Sequence, residues 1–128
     1  MKTITEIVSV MYDVLNVEQV TDLLDDGLFR LKRDESSRQS CIVIAPLVKQ
    51  ENFVSEGVLN VNIFVPNLSD NSVDEVKMDE IVKNAAEVIE AYENTTNYMI
   101  FEIASQDLIA DSREESFVNL RVNFFCEQ

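Results

Sequence analysis

Two stretches of this chain alternate so strictly that they leave little freedom in how they fold. After Gly57 the sequence runs VLNVNIFVP, and successive side chains of an extended chain point to opposite sides. Leu59, Val61, Ile63 and Val65 therefore share one face, and Asn60, Asn62 and Phe64 the other. Near the end of the chain FVNLRVNFFC repeats the pattern: Val118, Leu120, Val122, Phe124 and Cys126 look one way, Phe117, Asn119, Arg121, Asn123 and Phe125 the other. Two such strands demand a sheet whose aliphatic side is covered.

The cover is legible as helices. Thr3 and Glu6 have capping-box spacing, and Ile4, Ile7, Val8, Met11, Val14 and Leu15 recur at helical spacing, which predicts a helix over residues 4–15. Asn16 with Gln19 repeats the capping pattern, and Val17, Val20, Leu23 and Leu24 give a further short turn of helix ended by Asp25, Asp26 and Gly27. Ser72 and Glu75 form another capping box. It opens a long helix in which Met78, Ile81, Val82, Ala85, Val88, Ile89 and Tyr92 make one apolar stripe, opposite Glu80, Lys83, Glu87, Glu90 and Glu93. Residues 94–97 stop that helix.

Residues 28–33 alternate in character and suit a strand, and the polar residues 34–40 read as a mobile connection. The run CIVIAPLV, residues 41–48, suits a strand covered on both faces, with Pro46 marking an edge or bulge near its end. Residues 98–105 return as a strand and form a closing hairpin with the final one. The expected fold class is α+β: an antiparallel sheet of about four to five strands with an N-terminal helix and one long helix packed on one face. A chain of 128 residues is too short for two independent cores, so residues 1–128 read as a single domain.

Composition then narrows the function. The chain has no His, which removes the commonest general base near neutral pH and the commonest metal ligand. Its only glycines, Gly27 and Gly57, cannot build a phosphate-cradling loop. Carboxylate pairs occur at Asp25/Asp26, Asp34/Glu35, Asp74/Glu75, Asp79/Glu80 and Glu114/Glu115, but none follows a calcium-loop pattern, and solvation explains them. The expectation is a protein that is not an enzyme, with no catalytic, cofactor-binding or metal-binding residues. Cys41 and Cys126 read as reduced core thiols.

With 24 acidic against 10 basic residues, the net charge of −14 disfavours a grip on nucleic acid or on an anionic membrane. A wall past which DNA must slide, in contrast, should be this negative. Glu6 and Asp13 interrupt the N-terminal apolar positions and no apolar run approaches a membrane span, so the chain is expected to stay in the cytoplasm where it is made.

Candidate contact residues follow from uneven placement. Arg30, Lys32, Arg33 and Arg38 put four of the ten basic residues into one short stretch. That polarity suits either a solvated loop or a head-to-tail contact in which one subunit's basic segment meets an acidic helix of the next. Phe64, Phe117 and Phe125 fall on the strand faces opposite the aliphatic ones, so either a loop or helix covers that face or it is an interface. Phe53 and Val54, within residues 49–56, are candidates for a partner contact at a hairpin tip, and residues 49–56 and 106–115 are the loops expected to make contacts.

The layout resembles the tailed-bacteriophage neck and tail-terminator proteins, the head-tail connector ring family. The likeness is carried by the N-terminal helix, the LLDDGLFRLKR turn, the CIVIAPLV and GVLNVNIFVP strands, the long helix over residues 73–92, and the YMIFEIAS and FVNLRVNFF strands. It implies a structural subunit of the virion neck or tail, assembled in the host cytoplasm. The homo-oligomeric ring would be a hexamer by preference, with a dodecamer as the other size. It would stack between neighbouring tail-tube and connector proteins and pass DNA through an axial channel without specific binding, away from any membrane. The competing expectation is a small cytoplasmic binding or regulatory module of ferredoxin-like layout, acting as a dimer.

Overall fold

A computed structural model describes residues 2–47, 53–92, 99–109 and 114–126. Helix α1 (Ile4–Leu15) starts on a complete capping box: the Thr3 hydroxyl accepts from the Glu6 amide, and the Glu6 carboxylate accepts from the Thr3 amide, as the sequence predicts. The two other expected boxes are not formed. Asn16 ends α1 instead, its amide bonding the Tyr12 carbonyl at 2.9 Å, and the short helix α2 (Glu18–Thr21) begins at Val17 with no side-chain cap. Helix α3 (Glu75–Ala91) is capped by Asp74, whose carboxylate accepts from the Lys77 amide, while Ser72 is held in a turn by Asp70. A carboxylate immediately before the first turn satisfies its free amides and the helix dipole together, so it displaces the hydroxyl two residues further out.

Preceding α1 is the short strand β1 (Lys2–Thr3), and after α2 come β2 (Gly27–Arg30) and β3 (Cys41–Pro46). The short strand β4 (Phe53–Val54) leads into β5 (Glu56–Pro66), and β6 (Met99–Ile109) and β7 (Glu115–Cys126) follow α3. Strands β2, β3, β5, β7 and β6 form one five-stranded sheet in that order, while β1 and β4 pair separately. The expected α+β class holds, with α1 and the longer α3 both packed on the sheet. Pairings β3 with β5 and β6 with β7 are antiparallel, as their short connections predict, and β5 pairs antiparallel with β7 across the intervening α3 and β6.

The β2–β3 pair is the exception: it is parallel, Gly27 opposite Cys41 and Arg30 opposite Ile44. A tight turn cannot join parallel neighbours, so residues 31–40 must carry the chain back along the sheet. That crossover does not form a helix.

The two alternating segments behave as their patterns require. Leu59, Val61, Ile63 and Val65 of β5 and Val118, Leu120, Val122 and Phe124 of β7 are buried in one core with Ile7, Met11 and Leu15 of α1 and Met78, Ile81, Ala85 and Ile89 of α3. Strand β3 is buried on both faces from Cys41 to Ile44, and Pro46 sits at its last paired position, opposite Leu59. Cys41 and Cys126 are both buried free thiols. Among the described residues no helix is long and apolar enough to cross a membrane. Residues 93–98, which include the expected helix stop, lie outside the described residues.

Candidate subunit interface

The face of the sheet without helices begins with the crossover. Asp26, at the end of the turn into β2, accepts from the Ser37 hydroxyl at 2.6 Å and from the amides of Arg38 and Gln39 at 3.2 and 2.9 Å. These bonds hold the Asp26 carboxyl below its usual range, the Ser37 hydroxyl contributing most. Next to it, Ser40 bonds both the amide and the carboxylate of Asp25, which also receives Lys77 of α3 at 2.6 Å. The segment read as a mobile connection is thus wired to the turn before β2, with Ser37 and Ser40 buried.

Arg33 folds from this crossover over the sheet. Its guanidinium lies 4.6 Å from the centre of the Phe64 ring and bonds Glu115 at 2.7 Å, both ionic side chains being only 17% exposed. Burial works most strongly against the charged guanidinium, but Glu115 and the nearby Cys41 together outweigh it and hold the Arg33 pKa above its ordinary value. Phe64 in turn stacks on Phe117, ring centres 4.9 Å apart. Of the two explanations left open for the aromatic face, the covering loop therefore applies at Phe64 and Phe117. Arg38 stays exposed, its guanidinium donating to the carbonyls of Glu35 and Ser37 within its own loop at 2.8 and 2.7 Å. Of these two expected contact residues, Arg33 is committed to the fold of its own chain.

Arg30, opposite the core residue Ile44, points to the helix-bearing side at the end of edge strand β2, and Lys32 follows just beyond the strand. Arg30 donates to the Ser9 hydroxyl of α1 at 2.7 Å and stands over the Tyr12 ring at 5.7 Å. A groove of about 630 Å³ runs there between α1 and β2, lined by Val8, Tyr12, Leu28, Arg30, Leu31 and Lys32 among others. It is open and mixed in character, since Thr5, Ser9 and Asp13 of α1 line it as well and Asp13 sets an acid among the basic side chains.

The other expected contacts divide. Phe53 and Val54 are not at a free hairpin tip: their backbone pairs antiparallel with Thr3 and Lys2, and their side chains lie outside the described residues. Phe125 remains 42% exposed on the helix-free face, opposite Ile100 of β6, which is 59% exposed. Between this pair and the Phe64–Phe117 stack the face is polar, and the Asn119 amide donates to both Asn60 and Asn62.

Strand β6 was missed as a surface. It extends to Ile109, so residues 106–109, expected in a loop, belong to the far edge of the sheet. A register irregularity between Ile103 and Ser105 hides this in the sequence: before it, odd-numbered residues face the core, and after it Gln106 and Leu108 do, opposite Leu120 and Val118. The broken parity conceals a strand that displays Ile100, Leu108 and Ile109 to solvent along with Glu102 and Asp107. Among the described residues no three His, Cys, Asp or Glu side chains converge as a metal site would require. Compared with models of known families and with curated proteins, the chain finds no match.

Proposed function

We propose that this chain is a non-catalytic structural subunit that assembles with copies of itself into a ring, in the manner of the head-tail junction proteins whose layout its sequence resembles. The observation that supports this most is the edge strand β6, which presents Ile100, Leu108 and Ile109 to solvent along an eleven-residue strand. An edge strand of this length leaves a row of backbone groups open to pairing with another chain, and its exposed Ile100, Leu108 and Ile109 add apolar contact area. The strongly negative net charge is compatible with a ring through which DNA passes without being held. Neighbouring tail-tube and connector proteins would cover the remaining faces of the ring in the virion.

Light scattering and negative-stain imaging of the purified protein over a wide concentration range test the reading. Closed rings with a central hole, hexameric by preference, are the expected result. A two-fold dimer or a monomer at every concentration overturns it, and the dimer would favour a small cytoplasmic binding module instead.

A further inference from the structure

Residues 31–40, the crossover between β2 and β3, hold to the molecule without a hydrophobic anchor. The only apolar residue among them is Leu31, which is 51% exposed and stands outside the common core. What fastens their side chains to the rest of the chain is polar or charged. Asp26 accepts from Ser37, Arg38 and Gln39, Asp25 accepts from Ser40, and Arg33 bonds Glu115 and lies over the Phe64 ring. Backbone bonds tie down only the two ends, from the Leu31 amide to the Ile44 carbonyl and from the Asp26 amide to the Ser40 carbonyl. We propose that residues 31–40 are a strap that opens as a unit while the sheet stays folded, uncovering Cys41 and the Phe64–Phe117 pair on the helix-free face. This goes beyond the ring reading and holds whether or not rings form.

A segment opens separately when little apolar surface binds it to the core and its own bonds keep it together. Within the strap, Arg33 reaches the Gln39 carbonyl at 3.3 Å, Asp34 accepts from the amide and the hydroxyl of Ser36, and Arg38 donates to the carbonyls of Glu35 and Ser37. Those bonds travel with it. At its start Leu31 sits at a φ of 71°, a strained conformation that opening releases.

Cys41 shows what the strap covers. It pairs with Phe64 across β3 and β5, so its side chain points to the helix-free side, yet it is fully buried and is not among the residues of the common core. Burial holds its thiol above the usual range, against the pull of Arg33 and Ser37, both of them strap residues. The cover is therefore the strap itself. Lifting it exposes a thiol together with two stacked rings on a face that otherwise presents a polar middle.

Thiol labelling reads the opening directly. The protein is treated with a soluble aromatic disulfide under mildly alkaline conditions, from no urea to just below the unfolding transition, and mass spectrometry of the peptides separates Cys41 from Cys126. Cys41 is expected to label more slowly than an exposed thiol but faster than global unfolding allows. Its dependence on urea should be the weaker of the two, since a strap exposes little surface. Arg33→Ala should speed labelling without urea by about tenfold or more, and Asp26→Asn should act in the same direction. Because Arg33→Ala also withdraws a cation that favours the thiolate, a faster rate there reports opening and not a more reactive thiol. Gly57→Ala, which crowds Phe124 toward the other end of β5, should leave the rate without urea unchanged. The strap is overturned if Cys41 labels only as global unfolding permits, if it labels in the wild type as fast as an exposed thiol, or if Arg33→Ala leaves the rate unchanged. An acceleration by Gly57→Ala equal to that of Arg33→Ala overturns it as well.

Discussion

The Arg33 guanidinium rests 4.6 Å above the ring of Phe64, on the side of the sheet that no helix covers. Together with its 2.7 Å bond to Glu115 it fastens the crossover between β2 and β3 to β5 and β7. A basic residue that the charge pattern offered to a partner is thus committed within the fold.

Replacing Arg33 should consequently affect stability rather than surface charge alone. Arg33→Ala removes a largely buried ion pair and a cation–π contact, at an expected cost of about 2–3 kcal/mol, somewhat below that of breaking a fully buried pair. Urea unfolding checks this through the transition midpoint. A midpoint equal to that of the wild type would show that the crossover is held by other contacts.

Gly57 lies within β5, opposite Phe124, and a β-carbon there would come within 2.7 Å of the Phe124 ring. The ring is fully buried and cannot swing aside. Gly57→Ala should destabilise the protein by about 1–3 kcal/mol through overpacking. Because the clash is with one side chain, Gly57→Ala combined with Phe124→Leu should be more stable than the sum of the single changes, and a double-mutant cycle measures that difference.

Asp26 gives the crossover a pH dependence of known sign. Its carboxyl titrates below the usual range because the charged form accepts the Ser37 hydroxyl and two amides. A depressed folded-state pKa means stability that is fully present above the unfolded value of roughly 3.9 and is lost as pH falls through the folded value. Asp26→Asn should therefore melt below the wild type at pH 7, with the two proteins converging in strong acid. Thermal melts followed from pH 7 to 2 provide the comparison.

Leu31 leaves β2 at a φ of 71°, with the Lys32 amide bonded back to the Arg30 carbonyl at 2.8 Å. That is the positive-φ γ-turn, rare because a β-carbon crowds the backbone there. Leu31→Gly should relieve the strain and stabilise by about 0.5–1 kcal/mol after the entropy of glycine is counted, whereas Leu31→Val should destabilise. Calorimetric melting of the two variants gives the sign directly.

What the sequence determined by itself was whatever repeats locally. The period of two in β5 and β7, the apolar stripes of α1 and α3, and the Thr3–Glu6 box each follow from interactions within a few residues, and each was legible with its faces assigned. The order of strands is not local. Nothing within residues 27–46 announces that β2 lies parallel to β3, because that choice depends on where the crossover can be fastened, and its fastenings, Asp26 and Glu115, lie on either side of it in sequence. The same holds for the basic cluster. Composition placed Arg30, Lys32, Arg33 and Arg38 together, but only the packing of a loop over the sheet committed Arg33 within the molecule and left Arg30, Lys32 and Arg38 exposed. Strand β6 shows the limit most directly, since one irregularity in its register inverts the side-chain parity and hides a surface that becomes visible only when β7 supplies the reference.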